Sequence, residues 1–174
     1  MALICLISTH DVPPATLSRI LITAYKHSVQ LDGYPTLLLL SSAKKESLTG
    51  SLHPTSPPID PSVKSSFIGW SAEQIKQHLI DNADDDRINT HLFLVADERT
   101  VHDETLLLVE YSSDGEEARL DTVRIAAEEA NAKAICVDVG VMSVRELSGD
   151  IDVDGAYRPR STPQRGGSAP RKQL

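Results

Sequence analysis

Short, uniformly apolar runs recur along the chain, and each of them predicts a buried β-strand. The first occupies residues 2–9 and stops at the polar sequence Thr9-His10-Asp11. Because successive positions in these runs are apolar, without alternation, the runs predict a sheet that is covered on both faces. The later runs of this kind are residues 36–41, 90–97, 105–111 and 134–139.

Between the first two runs, apolar residues recur with helical spacing. Pro13 and Pro14 suit the first turn of a helix, where a missing N–H costs nothing. The apolar stripe that follows them predicts a helix that ends near Asp32-Gly33. This stripe consists of Leu17, Ile20, Leu21, Ala24 and Ser28.

Further helices are predicted from local signals. The clearest is Ser71-Ala-Glu-Gln74, a capping box in which Ser71 and Gln74 satisfy each other's backbone N–H groups. Trp70 and Ile75 occupy the hydrophobic staple positions of the same motif. The other two predictions are a helix that begins near Asp121 or Thr122 and a short one that contains Val144 and Leu147.

The order of these elements predicts an α/β fold: a small sandwich with a mixed, mostly parallel sheet of about five strands and helices on both faces. Residues 98–104 are too few for a helical crossover, so the fourth strand is expected to run antiparallel. Residues 1–158 then form a single domain. Residues 42–66 are rich in Ser and Pro and are expected to be a flexible insertion, and residues 159–174 a disordered basic tail.

Composition and charge narrow the classes of function. The 174 residues carry 25 acidic and 17 basic side chains, a net charge of −8 that disfavours binding to nucleic acid. One Trp, two Phe and four Tyr form no aromatic platform for stacked bases. No segment has the length and apolar character of a membrane span, and none has the pattern of a signal peptide. Cys5 and Cys136 lie in apolar runs. The chain is therefore expected to be a soluble, cytoplasmic protein with no nucleic-acid or membrane partner.

Candidate chemistry gathers at the predicted carboxyl ends of the strands, where open α/β sheets bind their ligands. If the first and third strands are parallel neighbours, His10, Asp11 and Asp97 converge there and could transfer protons or hold a cation. The alternative is structural: Asp11 caps the first helix, and Asp97 closes the turn after its strand. The cysteines and histidines show no metal-ligand spacing, and we predict no metal and no cofactor.

Two segments carry a resemblance to a known family. Residues 94–101 read Leu-Val-Ala-Asp-Glu-Arg-Thr-Val, and residues 152–158 read Asp-Val-Asp-Gly-Ala-Tyr-Arg. They are similar to the F-V-A-D-x-x-T-L and D-x-D-G-x-[FY]-R segments of a family of uncharacterised bacterial and fungal proteins, known only as a domain of unknown function. The resemblance implies one shared fold and a single-domain architecture, and it implies no activity.

Two functional hypotheses follow. The chain lacks any nucleophile motif, which favours a non-catalytic soluble domain that binds a protein partner or a small ligand. The alternative is a small cofactor-independent acid/base enzyme, such as an isomerase, lyase or cyclase, in which Asp97 works with His10 or Asp11. In that enzyme Arg99 or Arg158 would hold an anionic group. The residues predicted to bind the ligand are Arg99, Thr100, Trp70, Tyr157 and Arg158.

Overall fold

The computed structural model describes residues 2–49, 51–83, 87–112 and 119–158, and these form one sheet with helices on both faces. The strands are β1 (Leu3–Ser8), β2 (Leu37–Leu40), β3 (Ile88–Ala96), β4 (Thr105–Ser112), β5 (Arg119–Ala126) and β6 (Ala156–Tyr157). Their order across the sheet is β2-β1-β3-β4-β5-β6. The predicted α/β class with a mixed, mostly parallel sheet is confirmed, although the sheet has six strands and not about five.

Parallel pairing on both sides of β1 organises the sheet. β1 pairs with β2 from Ile4 opposite Leu37 onward, and its last residue, Ser8, lies opposite Ala96 of β3. The first and third apolar runs are therefore side by side and point the same way, as predicted. β4 runs antiparallel to both of its neighbours, which confirms the inference from the short 98–104 connection.

The helices are α1 (Pro14–Gln30), α2 (Ala72–Asn82), α3 (Glu98–Asp103), α4 (Ala127–Asp138) and α5 (Val144–Ser148), with a short 3-10 helix at Lys45–Leu48. α1 begins at Pro14 as expected, and its N-terminus has no side-chain cap, so Asp11 does not cap this helix. α2 carries the predicted capping box between Ser71 and Gln74. A helix at 98–103 replaces the loop expected there.

Alternate residues of β1 point into two separate cores. Ile4 and Leu6 pack with α1, α4 and α5 on one face of the sheet. Cys5 and Ile7 pack with α2 and Phe67 on the other face. Helices cover the sheet on both faces, as the uniformly apolar strands predicted.

The secondary structure predicted for residues 119–139 is wrong. The sequence predicted a helix that begins near Asp121 and a strand at 134–139, and the structure has β5 first and α4 after it. Val123 and Ile125 alternate into the core along β5, while Ala130 and Ala134 bury one side of α4. Short apolar runs fit either a strand or a helix, and pairing with β4 decides between them.

Residues 42–66 were expected to have little that could pack, and the structure differs on this point. Leu48 is fully buried on the α2 side of the sheet, and Ile59 is buried on the α1 side. Thr55 accepts a hydrogen bond on Oγ1 from the Leu39 N–H at 2.7 Å, and its carbonyl oxygen accepts one from the Tyr25 hydroxyl at 3.1 Å. Flexibility of the insertion stays a prediction, and the tail at 159–174 lies outside the described residues.

Asn131 holds α4 to the segment before β2. It is fully buried, and its Oδ1 accepts hydrogen bonds from the backbone N–H of Thr36 at 3.0 Å and from the Thr36 hydroxyl at 2.9 Å. Its amide nitrogen donates to Ser28 Oγ at 2.8 Å and to the Tyr34 carbonyl oxygen at 2.9 Å. All of its hydrogen-bonding capacity is used, which is what makes a buried amide stabilising.

We predict that Asn131→Ala lowers the free energy of unfolding by about 3 kcal/mol, because it leaves buried donors and acceptors unpaired and opens a small cavity. Urea unfolding followed by circular dichroism measures the change. Glu128→Ala on the same helix is the control, since the Glu128 side chain has no partner among the described residues. Equal stabilities of the two variants would contradict the role assigned to Asn131.

Candidate functional site

Asp97 follows β3 directly and caps α3. Its Oδ1 accepts a hydrogen bond from the Thr100 backbone N–H at 3.2 Å, and the Thr100 hydroxyl oxygen accepts one from the Asp97 N–H at 3.0 Å. Thr100 is fully buried, and its hydroxyl also donates to the Thr105 carbonyl oxygen at 2.7 Å. The reciprocal cap explains why a helix starts in a segment that was expected to be a loop.

The Asp97 carboxylate is also held by Arg124 from β5. Arg124 Nη1 donates to Asp97 Oδ1 at 3.0 Å, and Arg124 Nη2 donates to Asp97 Oδ2. The Arg124 side chain is only 11% exposed. The pair therefore links the end of β3 to β5 with β4 lying between them. The sequence prediction missed Arg124 because it placed this residue in a helix, although the alternation Val123-Arg124-Ile125 was a signal for a strand.

This environment keeps Asp97 ionised. Burial by itself would raise the pKa of Asp97, but the hydrogen bond and charge of Arg124 and the N–H of Thr100 outweigh it, and the net pKa lies below the ordinary 3.8. A catalytic acid needs the opposite shift, toward the working pH. At neutral pH Asp97 is a paired carboxylate with no proton to donate.

A second set of ion pairs joins α3 to the C-terminal strand. Arg99 Nε donates to Asp103 Oδ2 at 2.7 Å, and Arg99 Nη2 donates to the Asp154 carbonyl oxygen at 2.9 Å. Arg158 Nη2 donates to Asp154 Oδ2 at 2.6 Å. We call Arg99, Asp103, Asp154 and Arg158 the C-terminal clasp. The two arginines predicted to bind an anionic ligand are thus occupied by carboxylates of the chain itself.

Tyr157 belongs to the same end of the fold and faces α4. It is half-buried on β6, and the Lys133 ammonium lies 5.3 Å from the centre of its ring. Burial by itself would lower the pKa of Lys133, but Tyr157 and Glu129 outweigh it and raise that pKa. Tyr157 therefore packs against α4, and its predicted role in binding stays a prediction.

Trp70 lines an open groove along α2, and Asp97 is not among the residues that line it. Its ring meets Phe67 edge to face at 5.0 Å and His78 at 5.5 Å between ring centres. Trp70, Gln74, Gln77, His78, Asp81 and Asn82 line this groove, which has a volume of about 340 Å³. Burial lowers the pKa of His78, with Asp81 opposing the shift.

His10 and Asp11 line a different cleft, at the carboxyl ends of β1 and β2. We call it the Ser8 cleft; its polar lining is Ser8, His10, Asp11, Ser41, Lys64 and Ser65. Asp97 is not among the lining residues. The cavity volume is about 20 Å³, room for one water molecule, and it opens to solvent. The structure therefore brings His10 and Asp11 together and leaves Asp97 in its own ion pair.

Neither metal ligands nor a membrane span is found in the described ranges. No three His, Cys, Asp or Glu side chains there are grouped so that they could hold a metal ion. None of the helices described has the length and apolar character that crossing a membrane requires.

The described residues form a small α/β domain in which arginines pair with the carboxylates at the end of β3. Comparison with known proteins then identifies a family. The family model described as "Domain of unknown function (DUF6924)" matches residues 39–160, and the chain belongs to this family. The curated proteins and the solved structures contain no match to the chain.

We predict that Asp97→Asn lowers the free energy of unfolding at pH 7 by about 2–3 kcal/mol, because Arg124 keeps its charge and loses its partner. The lowered pKa of Asp97 determines how the stabilisation by its ion pair with Arg124 depends on pH. The unfolded chain takes up the proton first as the pH falls, so the contribution is complete above about pH 5 and is lost below it.

Chemical unfolding at pH 3 to 7 measures this dependence. Asp97→Asn should flatten it, and Asp11→Asn should leave it unchanged, since Asp11 is exposed and has no partner among the described residues. An unaltered acid dependence in Asp97→Asn would show that the ion pair with Arg124 does not stabilise the fold.

We also predict that Arg99→Gln loosens β6, because it removes the hydrogen bond from α3 to the Asp154 carbonyl oxygen, two residues before β6. Amide hydrogen exchange at Ala156 and Tyr157 should become about fivefold faster, as expected for the loss of about 1 kcal/mol from partly exposed contacts. Arg145→Gln on α5 is the matched control, since its side chain has no partner in the described part of the chain. Equal exchange rates in both variants would count against the clasp.

Proposed function

We propose that this domain is a non-catalytic binding domain that takes a small polar ligand in the Ser8 cleft. The proposal rests on one observation: charged side chains are paired with each other at the end of one strand and have no such partners at the end of another. At the end of β3, Asp97 and Asp103 are held by arginines. At the end of β1, the side chains of His10, Asp11 and Lys64 have no partner among the described residues. Groups without internal partners are the ones available to a ligand.

A small ligand is favoured over a protein partner because of what lines the cleft. Six polar and six apolar residues line the narrow cavity there, and a few placed polar groups in a concavity are typical of small-molecule sites. Protein interfaces instead need broad surfaces with a buried apolar centre. The groove beside Trp70 is the wider of these two concavities and is the place where a protein partner would be sought.

The acid/base alternative has weaker support. His10 and Asp11 line the cleft, which favours it, but the third predicted residue, Asp97, is paired with Arg124. Cys5 offers no nucleophile, because burial raises its pKa to about 12.

The two segments that resemble the family's motifs have a structural role in this proposal. Residues 94–101 supply Asp97, Arg99 and Thr100, and residues 152–158 supply Asp154 and Arg158. We propose that they join α3 to the C-terminal strand. A cytoplasmic location is also proposed, since Cys5 and Cys136 are free thiols.

Mapping with a library of small polar fragments tests the proposal on the ¹⁵N-labelled chain. We expect shifted amides to cluster at residues 8–12, 39–41 and 63–65, with the fragments unchanged after incubation in deuterated buffer. Shifts centred on Asp97 and Arg124, or on the Trp70 groove, would contradict the proposed site. Deuterium incorporated into a carbon position of a fragment would instead support the acid/base alternative.

A further inference from the structure

We propose that the Ser8 cleft binds the headgroup of an α-amino acid, a small zwitterion. Its carboxylate would contact the Ser8 hydroxyl and the Lys64 ammonium, and its ammonium would contact Asp11. This inference rests on the proposed function and names the chemical class of the ligand.

Ser8 provides the first observation. It is the last residue of β1, it is 3% exposed, and its Oγ has no hydrogen-bond partner among the residues that the structure describes. A buried hydroxyl without a partner loses its bonds to water and gains none in return, which is unfavourable. Ser8 also lines the cleft, so a ligand oxygen at the bottom of the cavity would satisfy it.

The surroundings hold Ser8 in this position. The Ser65 hydroxyl donates to the Ser8 carbonyl oxygen at 2.6 Å and accepts from the Phe67 N–H at 3.1 Å. The Ser66 N–H donates to the Ser41 carbonyl oxygen at 2.8 Å. These bonds fix the insertion across the ends of β1 and β2 and use the neighbouring hydroxyl of Ser65, so that Ser8 Oγ remains available.

Lys64 and Asp11 provide the second observation, which is independent of Ser8. Both are exposed, both line the cleft, and they carry opposite charges. No ion pair joins them, and within the described residues neither has another partner. A ligand with charges of both signs would pair with each of them, whereas a simple anion would be repelled by Asp11 and a simple cation by Lys64.

The size of the cleft limits what it can recognise. About 20 Å³ accommodates an oxygen atom of the ligand next to Ser8, and the remainder would lie at the mouth between Lys64 and Asp11. A side chain on the amino acid would therefore point toward solvent. The cleft would recognise the carboxylate and the ammonium group of the ligand, and it would not select among amino acids by their side chains.

Glycine is the probe, because it is this headgroup without a side chain. NMR titration of the ¹⁵N-labelled full chain should give saturable shifts at residues 8–12 and 63–65. Acetate and methylammonium, which each carry one of the two charges, should bind at least tenfold more weakly. Absence of saturable shifts with glycine, which is the result expected if the cavity holds only water, would overturn the proposal. Equal affinity for acetate would overturn it as well.

Variants assign the contacts. Ser8→Ala, Lys64→Met and Asp11→Asn should each weaken glycine binding about five- to tenfold. Ser8→Ala should remain folded, since it removes an unpaired buried hydroxyl. Lys44→Met and Asp32→Asn are the matched controls outside the cleft and should bind glycine within twofold of the unaltered chain. Unchanged binding by Ser8→Ala would overturn the assignment.

The outcomes for the ligand and for the site can be separated. If polar fragments shift the amides of the Ser8 cleft and glycine does not, the amino acid assignment fails while the proposed binding domain stands. If neither shifts them, both fail.

Discussion

The parallel pairing of β1 with both β2 and β3 is the constraint on which the rest of the structure depends. The chain leaves β1 toward one side, through α1 to β2, and returns across it, through α2 to β3. Because such crossovers have one hand, the two connections lie on opposite faces of the sheet. Both faces of β1 must then be apolar, which is why Ile4 and Leu6 enter one core and Cys5 and Ile7 the other. The same pairing brings the carboxyl ends of β1, β2 and β3 to one edge, where every candidate functional residue except Trp70 and the C-terminal pair was sought.

Charged groups at that edge serve two different purposes. Around β3, arginines neutralise the carboxylates: Arg124 reaches Asp97 across β4, and Arg99 of α3 reaches Asp154, which also pairs with Arg158. In an acidic chain these pairs remove repulsion where several carboxylates meet, and they fix the last strand against a short helix that has little apolar surface of its own. Around β1, the side chains of Asp11 and Lys64 are left without internal partners in the described residues. The difference is the physical basis for separating residues that stabilise the fold from residues that are available to a ligand.

The insertion between β2 and α2 connects these observations. It follows the edge strand, buries Leu48 and Ile59 on opposite faces, and returns across the ends of β1 and β2 through Ser65 and Ser66. The Gly69 N–H then donates to the Thr9 carbonyl oxygen at 2.8 Å, so the turn before α2 covers the junction of β1 and β3. Gly69 has φ +79°, a left-handed conformation that glycine adopts without strain. The cavity at the strand ends accordingly lies on the β2 side of β1, where Ser8, Asp11 and Lys64 line it together with Leu39, Leu40 and Ser41 of β2 and its end.

The sequence by itself determined the features that depend on local pattern: the apolar strands β1 to β4, the helix that begins at Pro14, the capping box at Ser71 and the antiparallel direction of β4. It also placed His10, Asp11 and Asp97 at the strand ends. Tertiary structure alone decided which of residues 119–138 became strand and which became helix, since pairing with β4 and burial beneath the sheet outweigh propensity in short apolar segments. It also decided the partners of Asp97, because Arg124 is 27 residues away along the chain and reaches it only across the folded sheet. The unpaired hydroxyl of Ser8 is likewise invisible in a sequence, since a missing hydrogen bond exists only when the surrounding atoms have been placed.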